Sequence, residues 1–339
     1  MLFLVALTYW RFYLAEPPPR LLNFGGQTMG TTYHVKVVAG SREQQSDETK
    51  ARLAKVIDDA LSEVDGAMST YRPESELSRF NGAPADTDFA LSADTAAVVA
   101  LALEVSQLSG GAFDPTVGPL VNRWGFGPSK DMGPLPSDAE VATLLAQVGY
   151  RHITLDSPQS ALRKSVTGLE VDLSAVAKGF AVDKVTAALQ AEGFDGVMVE
   201  VGGELRVSGL TELARPWRLA VERPDATTRS IYEVLSLSDK AMATSGNYRN
   251  FTEIDGVRYS HTIDPRTGRP VTHNLASVTV LDTTCARADA LATALSVLGP
   301  ERGVELARAN DIAALFIVVE GDNLVETASP AFAKLRSAS

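Results

Sequence analysis

Patterns typical of strands and of helices follow one another irregularly along this chain, and this order limits the folds it can adopt. Alternating or apolar stretches predict strands at 31–38, 152–155, 162–166, 196–207 (around Gly202-Gly203), 217–221, 231–237, 277–281 and 313–319. Helical periodicity and caps predict helices at 47–65, from Ser92 to Gly110-Gly111, from the Ser137–Glu140 capping box to Gly149, and at 174–191, 287–298 and 301–309. Because no regular βαβ repeat is present, an α+β fold is favoured over a doubly wound parallel sheet. Neither GxGxxG nor GxxxxGK[ST] occurs, so the dinucleotide fingerprint and the P-loop have no support.

Composition excludes several classes of protein. With 339 residues, 45% of them hydrophobic, the chain can build a sizeable core and has the length for about two lobes. Its 31 basic and 42 acidic residues leave a net charge of −11, which argues against nucleic acid as a partner because phosphate backbones require a basic face. Cys285 is the only cysteine, which excludes an internal disulfide and a cysteine-based zinc site. The histidines show no HExxH spacing, so metal ligands should be mainly oxygen atoms.

The first 20 residues differ from the rest of the chain. Residues 2–15 form an apolar run interrupted only by Thr8 and Arg11, which is shorter than the ~20 residues of a membrane span. Pro17-Pro18-Pro19 follows as a stiff spacer that would end a helix. We interpret residues 1–20 as a remnant of a membrane anchor or export segment with its proline spacer, and residues 21–339 as the folded domain. The alternative is an amphipathic or buried first helix.

Four polar residues suit phosphate chemistry. Asp289 and Thr293 are spaced i,i+4 on a predicted helix, so a carboxylate and a hydroxyl share one face. Mg²⁺ binds such donors together with substrate phosphates, although an Asp in a first helical turn is more commonly a dipole or cap contact. Asp172 precedes a predicted helix start, where it serves either a ligand or a plain N-cap. Lys178, one turn later, either contacts a phosphate or extends into water.

Three further positions carry polar or stacking groups. His261 lies in a loop with Asp264 and Arg266, which suits proton transfer or phosphate binding as well as a structural histidine. Gly202-Gly203 either allows the backbone to approach a planar ligand closely or marks a β-bulge. The ring of Tyr71 either stacks on a ligand or packs against the protein. Together these positions indicate metal-assisted phosphate chemistry on a nucleotide-like substrate.

The same stretches, in this order, resemble the ApbE family of FAD:protein FMN transferases. The resemblance covers roughly residues 26–299. It rests on MGT (29–31), MSTYRPESELSRFN (68–81), GAFDPTVGPLVNRWGFGP (111–128), VDLSAVAKGF (171–180), VGGELRVSG (201–209), TSGNYRNF (244–251), SHTIDPRTGRP (260–270) and ADALAT (288–293). It implies a two-lobed, T-fold-related α+β catalytic domain whose mixed or antiparallel sheets are flanked by helices.

The resemblance also implies a reaction. Family members use Mg²⁺ to split FAD between its phosphates and transfer FMN to a threonine hydroxyl of an acceptor protein, releasing AMP. The acceptors are flavoprotein subunits of sodium-pumping NADH:quinone reductases and related electron-transfer complexes, recognised through a Ser/Thr-Gly-Ala-Thr-type motif. The family works largely at the periplasmic side of the bacterial inner membrane, which agrees with an N-terminal anchor.

The resemblance assigns roles to individual residues. The positions that match FAD contacts are Met29, Tyr71, Ala112, Phe113, Asp114, Asp172, Lys178 and Ile263. The positions that match metal ligands are the carbonyl of Ala175 and the side chains of Asp289 and Thr293.

The base that activates the acceptor hydroxyl is a separate question. His261 is the first candidate and Asp289 is the alternative, since a threonine hydroxyl does not ionise by itself near neutral pH. Arg249 and Arg266 are candidate phosphate clamps on chemical grounds. Two other functions remain open, namely an Mg²⁺-dependent FAD pyrophosphatase that releases FMN and AMP, and a flavin-binding protein without catalysis.

Overall fold

The computed structural model describes residues 16–128, 134–225, 230–246, 251–254, 257–321 and 323–339. The strands are β1 (Arg20–Thr28), β2 (Thr31–Ala39), β3 (Phe89–Ala90), β4 (Ile153–Asp156), β5 (Ala161–Lys164), β6 (Val197–Val201), β7 (Glu204–Ser208), β8 (Trp217–Glu222), β9 (Ile231–Leu237), β10 (Lys240–Gly246), β11 (Phe251–Ile254), β12 (Val257–Ser260), β13 (Ile263–Asp264), β14 (Arg269–Pro270), β15 (Leu275–Asp282), β16 (Ala313–Glu320) and β17 (Asn323–Ala328). The helices are α1 (Asp47–Met68), α2 (Glu76–Gly82), α3 (Ala93–Leu108), α4 (Gly118–Arg123), α5 (Asp138–Leu145), α6 (Ser174–Ala191), α7 (Cys285–Ala309) and α8 (Pro330–Ser337).

One eight-stranded sheet organises the molecule. Its strand order is β1-β2-β6-β7-β10-β15-β16-β17, and each neighbouring pair is antiparallel. Smaller antiparallel sheets pair β5 with both β3 and β4, β8 with β9, β11 with β12, and β13 with β14. The predicted α+β class is therefore confirmed.

Both faces of the large sheet are covered, and the pattern within its strands explains why. Side chains alternate between faces along a strand. In β16, Ala314 and Phe316 belong to the core beneath the helices, while Ala313, Leu315 and Ile317 belong to a second core. β8, β9 and α8 close that second core. A strand buried on both faces reads as a continuous apolar run, as AALFIVV does here.

Helices α6 and α7 pack side by side on the first face of the sheet, where they also contact α1 and α3. Their closest approach lies at Gly179, where a Cβ atom would come within 2.4 Å of the carbonyl oxygen of Cys285. Asp183 of α6 accepts hydrogen bonds from the backbone N–H groups of Cys285 and Ala286, both at 2.9 Å. One helix thus caps the other and fixes its start relative to its neighbour.

Most of the predicted elements are present, with some different bounds. Ser92 and the Ser137–Glu140 box cap their helices as predicted. The predicted helical break between Leu298 and Glu301 is confirmed at Gly299, whose φ is 80°. The prediction that the helix from Ser137 closes at Gly149 is wrong, because α5 ends at Leu145.

The N-terminal segment was predicted as an anchor or export remnant, and its residues 1–15 lie outside the described residues. The structure describes residues 16–19, which include the proline spacer, and they contact the loop between β2 and α1. Gln45 donates to the carbonyl of Pro18 at 2.9 Å, and the backbone of Arg42 donates to the carboxylate of Glu16 at 2.8 Å. Across the described ranges, no helix combines the length and the apolar character that a bilayer crossing requires.

Candidate active site

A cavity of about 390 Å³ opens where the start of α6, the first turns of α7 and several loops meet. Most of the predicted site residues line it. They are Ala112, Phe113, Asp114, Asp172, Ala175, Lys178, His261, Ile263, Asp289 and Thr293. These residues come from segments up to 180 positions apart in the chain, so the fold brings the predicted motifs together. Met29, Tyr71 and Arg266 are predicted residues that do not line the cavity.

Asp289 and Thr293 reach the cavity from α7, one helical turn apart. Asp289 is buried, and its Oδ2 accepts a hydrogen bond from the backbone N–H of Gly179 at 3.1 Å. In a regular helix this N–H points at the carbonyl of Ala175, four residues earlier. The Asp289 carboxylate therefore meets α6 beside the Ala175 carbonyl, as a shared metal site requires. Burial raises the pKa of Asp289, against the opposing charge of Lys178.

The oxygen atoms around Asp289 fit a hard divalent cation that is also bound by substrate. The hydroxyl of Thr293 lies 3.2 Å from that of Ser245, which brings β10 to the same place. Among the described residues, no group of three or more His, Cys, Asp or Glu side chains could enclose a cation. Mg²⁺ commonly takes one or two carboxylates and fills its remaining positions with phosphate oxygens and water. The donors present therefore suit a cation that binds together with a phosphate ester.

Lys178 provides a positive charge in the cavity. Its Nζ lies 2.9 Å from Oε1 of Glu204 and 4.0 Å from Oδ2 of Asp289. Burial lowers the pKa of Lys178, but the two carboxylates raise it by more, so the net shift is upward and the amine stays charged. Burial raises the pKa of Glu204 to about 7, partly offset by Lys178. The cavity thus combines a fixed ammonium with the carboxylate of a candidate metal ligand.

The first turn of α6 lies at the cavity wall, where Ser174 and Ala175 line it. Leu173 occupies the N-cap position and cannot cap, so Oδ1 of Asp172 accepts from the N–H of Ser174 at 2.8 Å instead. Asp172 also lines the cavity, so the capping and the ligand interpretations apply to the same side chain. The positive end of this 18-residue helix, next to Lys178, favours a phosphate.

Asp114 shapes the cavity wall through bonds to its own chain. Its Oδ1 accepts from the N–H and the hydroxyl of Thr116 at 2.8 and 2.6 Å, and its Oδ2 accepts from the N–H of Tyr150 at 2.7 Å. Burial raises the pKa of Asp114, and these hydrogen bonds oppose the shift. Ala112 and Phe113, both buried, line the cavity beside it.

His261, in the segment that joins β12 to β13, and Ile263, the first residue of β13, line the cavity. The ring of His261 meets that of Phe126 edge to face, with centroids 6.4 Å apart. The indole N–H of Trp124, just after α4, donates to the carbonyl of Gly268 at 2.9 Å. This bond connects the turn between β13 and β14 to the end of α4. His261 and Asp289 therefore face one cavity, which is a geometric requirement for the predicted pairing of base and metal ligand.

Of the two candidate phosphate clamps, Arg266 and Arg249, the structure describes only Arg266. Arg266 pairs with Asp264 through two hydrogen bonds of 2.8 and 2.7 Å, and it does not line the cavity. This pairing follows from the tight turn that begins at Asp264, whose carboxylate also accepts from the N–H of Arg266. Arg249 lies outside the described residues.

Met29 lies near the cavity without lining it. With Gly30 it forms the two-residue turn between β1 and β2, at φ angles of 47° and 74°. A Cβ on Gly202, which does line the cavity, would come within 2.8 Å of Thr31 in the same hairpin. The turn that carries Met29 therefore lies next to the cavity wall.

Tyr71 is the most exposed aromatic side chain of the predicted set, at 61%. Partial burial and the charge of Asp172 raise the pKa of Tyr71. The loop around it is ordered by Ser75, whose hydroxyl caps α2 and donates to the carbonyl of Ser69 at 2.7 Å. An exposed ring on an ordered loop provides a surface for stacking.

Sequence reasoning did not select Glu204 or Ser245, although both lie in motifs it singled out. A signal for Glu204 was available. A two-residue turn at Gly202-Gly203 pairs Val201 directly with Glu204, and directly paired residues share one face of a sheet. A buried Val201 therefore requires Glu204 to point into the protein.

Comparisons with known proteins agree with this geometry. The sequence model of the ApbE family matches residues 29–316. A curated FAD:protein FMN transferase from Vibrio cholerae is 46% identical over 317 residues, covering 94% of this chain and 93% of that protein. The solved structure of the flavin transferase ApbE from Vibrio cholerae is 45% identical with a TM-score of 0.85, covering 94% of this chain and 99% of the other. The apo form of the Pseudomonas stutzeri flavinyl transferase ApbE is 40% identical with a TM-score of 0.85, covering 95% and 98%.

Proposed function

This chain belongs to the ApbE family, and from that premise we propose that it transfers FMN from FAD to a threonine hydroxyl of an acceptor protein and releases AMP. The observation that carries the proposal is the cavity itself. It joins a helix N-terminus, a charged amine and the pair Asp289 and Thr293 around a space that suits a phosphoanhydride.

In the proposed reaction, the oxygen of the acceptor hydroxyl attacks the FMN-side phosphorus. The bond from that phosphorus to the bridging oxygen breaks, and AMP leaves with the bridging oxygen. The positive end of α6 and the ammonium of Lys178 bind and orient the phosphates. His261 accepts the hydroxyl proton, and its position in the same cavity supports this role.

We propose that Mg²⁺ is the metal, with the Ala175 carbonyl, the Asp289 carboxylate and the Thr293 hydroxyl as its protein ligands. When bound, the ion neutralises negative charge on the diphosphate and on the leaving AMP. The all-oxygen donor set and the N–H link between Gly179 and Asp289 support this assignment.

The acceptor and the location are also proposals. We propose as acceptors flavoprotein subunits of sodium-pumping NADH:quinone reductase or a related electron-transfer complex, with a Ser/Thr-Gly-Ala-Thr-type motif, at the periplasmic side of the bacterial inner membrane. The apolar run at 2–15 supports membrane association. Protease treatment of spheroplasts would degrade a periplasmic enzyme, whereas full protection would exclude this location.

One assay separates the three candidate functions. The protein is incubated with FAD and Mg²⁺, with and without an acceptor carrying the threonine motif. Covalent flavin fluorescence on the acceptor in a denaturing gel is the expected result. Release of AMP without acceptor at an equal rate would identify a pyrophosphatase, and FAD binding without either product would identify a flavin-binding protein.

The same assay tests the metal site through Asp289→Ala. Loss of the carboxylate should reduce transfer about a hundred- to a thousandfold, a size common when a group that stabilises the transition state is removed. Asp88→Asn is the matched control, since Asp88 is an exposed carboxylate paired with Arg163 away from the cavity. It should leave transfer unchanged. Full activity of a folded Asp289→Ala protein would refute the site.

A further inference from the structure

Glu204 is a buried carboxylate for which the reaction above has no role. It is 5% exposed, lines the cavity and directly follows the Gly202-Gly203 turn. Its Oε1 accepts from Lys178 at 2.9 Å, while its Oε2 is buried and has no hydrogen-bond partner among the described residues. Keeping a carboxylate in such a place is costly unless it is paired. Its protein partner is the ammonium of Lys178.

Lys178 lies between two carboxylates at unequal distances. Its Nζ is within hydrogen-bond distance of Glu204, but 4.0 Å from Asp289, which is beyond that distance. The Lys178 side chain is 29% exposed and lines the cavity. A lysine side chain has many rotamers, so an unpaired ammonium would not stay at one position. The bond to Glu204 therefore selects the position in which the amine faces the cavity.

Without Glu204, the nearest carboxylate left to Lys178 is Asp289. The ammonium would be drawn onto Asp289 because an unpaired charge at a largely buried site is unfavourable. That move would withdraw the positive charge from the phosphates and would occupy the oxygen proposed as a metal ligand. The Lys178 ammonium and the Asp289 carboxylate would then pair with each other, and neither would be available to the substrate or the cation.

We propose that Glu204 is a positioning residue: it holds the ammonium of Lys178 off Asp289 and presents it to the phosphates of the substrate. The inference rests on the proposed function for the identity of that substrate, FAD. Glu204 itself acts through Lys178 and does not contact the reacting atoms.

A double-mutant cycle over Glu204 and Lys178 tests this inference. The measurement is the dissociation constant of FAD for the full chain in excess EDTA, followed by flavin fluorescence anisotropy. Glu204→Leu and Lys178→Met should each weaken binding by about tenfold, the effect expected for loss of one charge-assisted hydrogen bond. The double variant should bind FAD no more weakly than Lys178→Met, because Glu204 has nothing left to position.

A conservative variant keeps the test valid if Glu204→Leu does not fold. Glu204→Gln preserves the volume and one acceptor oxygen, so it should weaken FAD binding by about threefold, which is less than the leucine variant because a neutral acceptor makes the weaker bond. That loss should vanish in the Lys178→Met background. Near-UV circular dichroism establishes which variants are folded.

Additive losses in the double variant would overturn the inference, as would unchanged FAD binding in both folded Glu204 variants. Asp88→Asn is again the control for loss of a paired carboxylate, and it should bind FAD normally. Because FAD binding in EDTA needs neither metal nor acceptor, the cycle stands even if the chain transfers no flavin. A failed transfer assay and a failed cycle are therefore distinguishable.

Discussion

At position 179 the two central helices come so close that a side chain has no room. The missing Cβ of Gly179 would approach the backbone of Cys285 and Ala286, and backbone atoms cannot rotate away as a flexible side chain can. The N–H of the same residue bonds to Asp289. A single glycine therefore sets both the helix spacing and the position of the candidate metal ligand.

We expect Gly179→Ala to destabilise the protein and to reduce flavin transfer. Helix propensity alone would favour alanine by about 1 kcal/mol, but a Cβ at 2.4 Å from a carbonyl oxygen forces the helices apart at a cost of about 1–3 kcal/mol. Urea unfolding monitors stability, and the flavin gel assay monitors activity. The control is Gly66→Ala in α1, where a Cβ would meet nothing within 4 Å and should stabilise by about 0.5–1 kcal/mol. Equal stabilisation by both changes would contradict this account of the helix crossing.

At the residue scale, the order of the motifs along the sequence predicts most of the residues that line the cavity. The chemical type of the residues alone predicts fewer of them. Asp289 and Thr293 could be paired from helical spacing, since that spacing fixes geometry locally. Arg266 does not line the cavity; its partner Asp264 lies two residues away in a tight turn, where the two side chains pair with each other. Whether a polar side chain faces a ligand or its own neighbour depends on the turn, which composition does not reveal.

At the element scale, the start of α7 depends on another helix. Thr284 is its N-cap residue but makes no side-chain capping bond. Asp183 supplies the cap from α6 by accepting from the N–H groups of Cys285 and Ala286, and it also pairs with Arg206 at 2.7 Å. The helix that carries Asp289 is therefore fixed at its first turn by a residue about a hundred positions earlier.

We expect Asp183→Ala to lower the free energy of unfolding by about 2 kcal/mol, because a helix cap and a charge-assisted hydrogen bond are lost together. Asp183→Asn keeps an acceptor oxygen for the cap and should lose about half as much. Urea denaturation with unchanged m-values would measure both. If Asp183→Asn were as damaging as Asp183→Ala, the ion pair with Arg206 and not the cap would account for the effect.

The sequence predicts where a helix begins or ends when the capping bonds are local. The predicted boundary is wrong where tertiary contacts determine the end of the helix. The Ser137–Glu140 box starts α5 as predicted, since both of its bonds lie within four residues. The helix does not continue to Gly149 because the N–H of Gly149 bonds to Thr116 and that of Tyr150 bonds to Asp114, in a loop more than thirty residues earlier. β1 was not predicted because RLLNFGGQT lacks alternation, and its pairing with β2 supplies the order instead.

At the scale of the whole molecule, the cavity exists only when distant segments have folded together. Its lining residues run from Ala112 to Val297, and they come from the segment 112–126 around α4, from α6 and α7, from the β6–β7 turn and β7, from β10, and from β13 and its neighbouring loops. The unfolded chain has no comparable site. A ligand that fills this cavity therefore binds only the folded state and must stabilise it by mass action.

We expect FAD at about a hundred times its dissociation constant to stabilise the protein by about 2.7 kcal/mol, which for a chain of this size corresponds to a rise in Tm of about 4 °C. The Tm is measured by scanning calorimetry with Mg²⁺, and again with EDTA in its place. Because the buried Asp289 carboxylate and the Thr293 hydroxyl, the proposed side-chain ligands of the cation, both line the cavity, removal of the cation should weaken FAD binding and reduce the shift at the same FAD concentration. In Asp289→Ala, EDTA should then make no further difference to the Tm shift.

Riboflavin, which has the same ring but no phosphates, is the control ligand. A shift from riboflavin as large as that from FAD would mean that the flavin ring alone is bound, so that Lys178 and the start of α6 would have no role in binding phosphate.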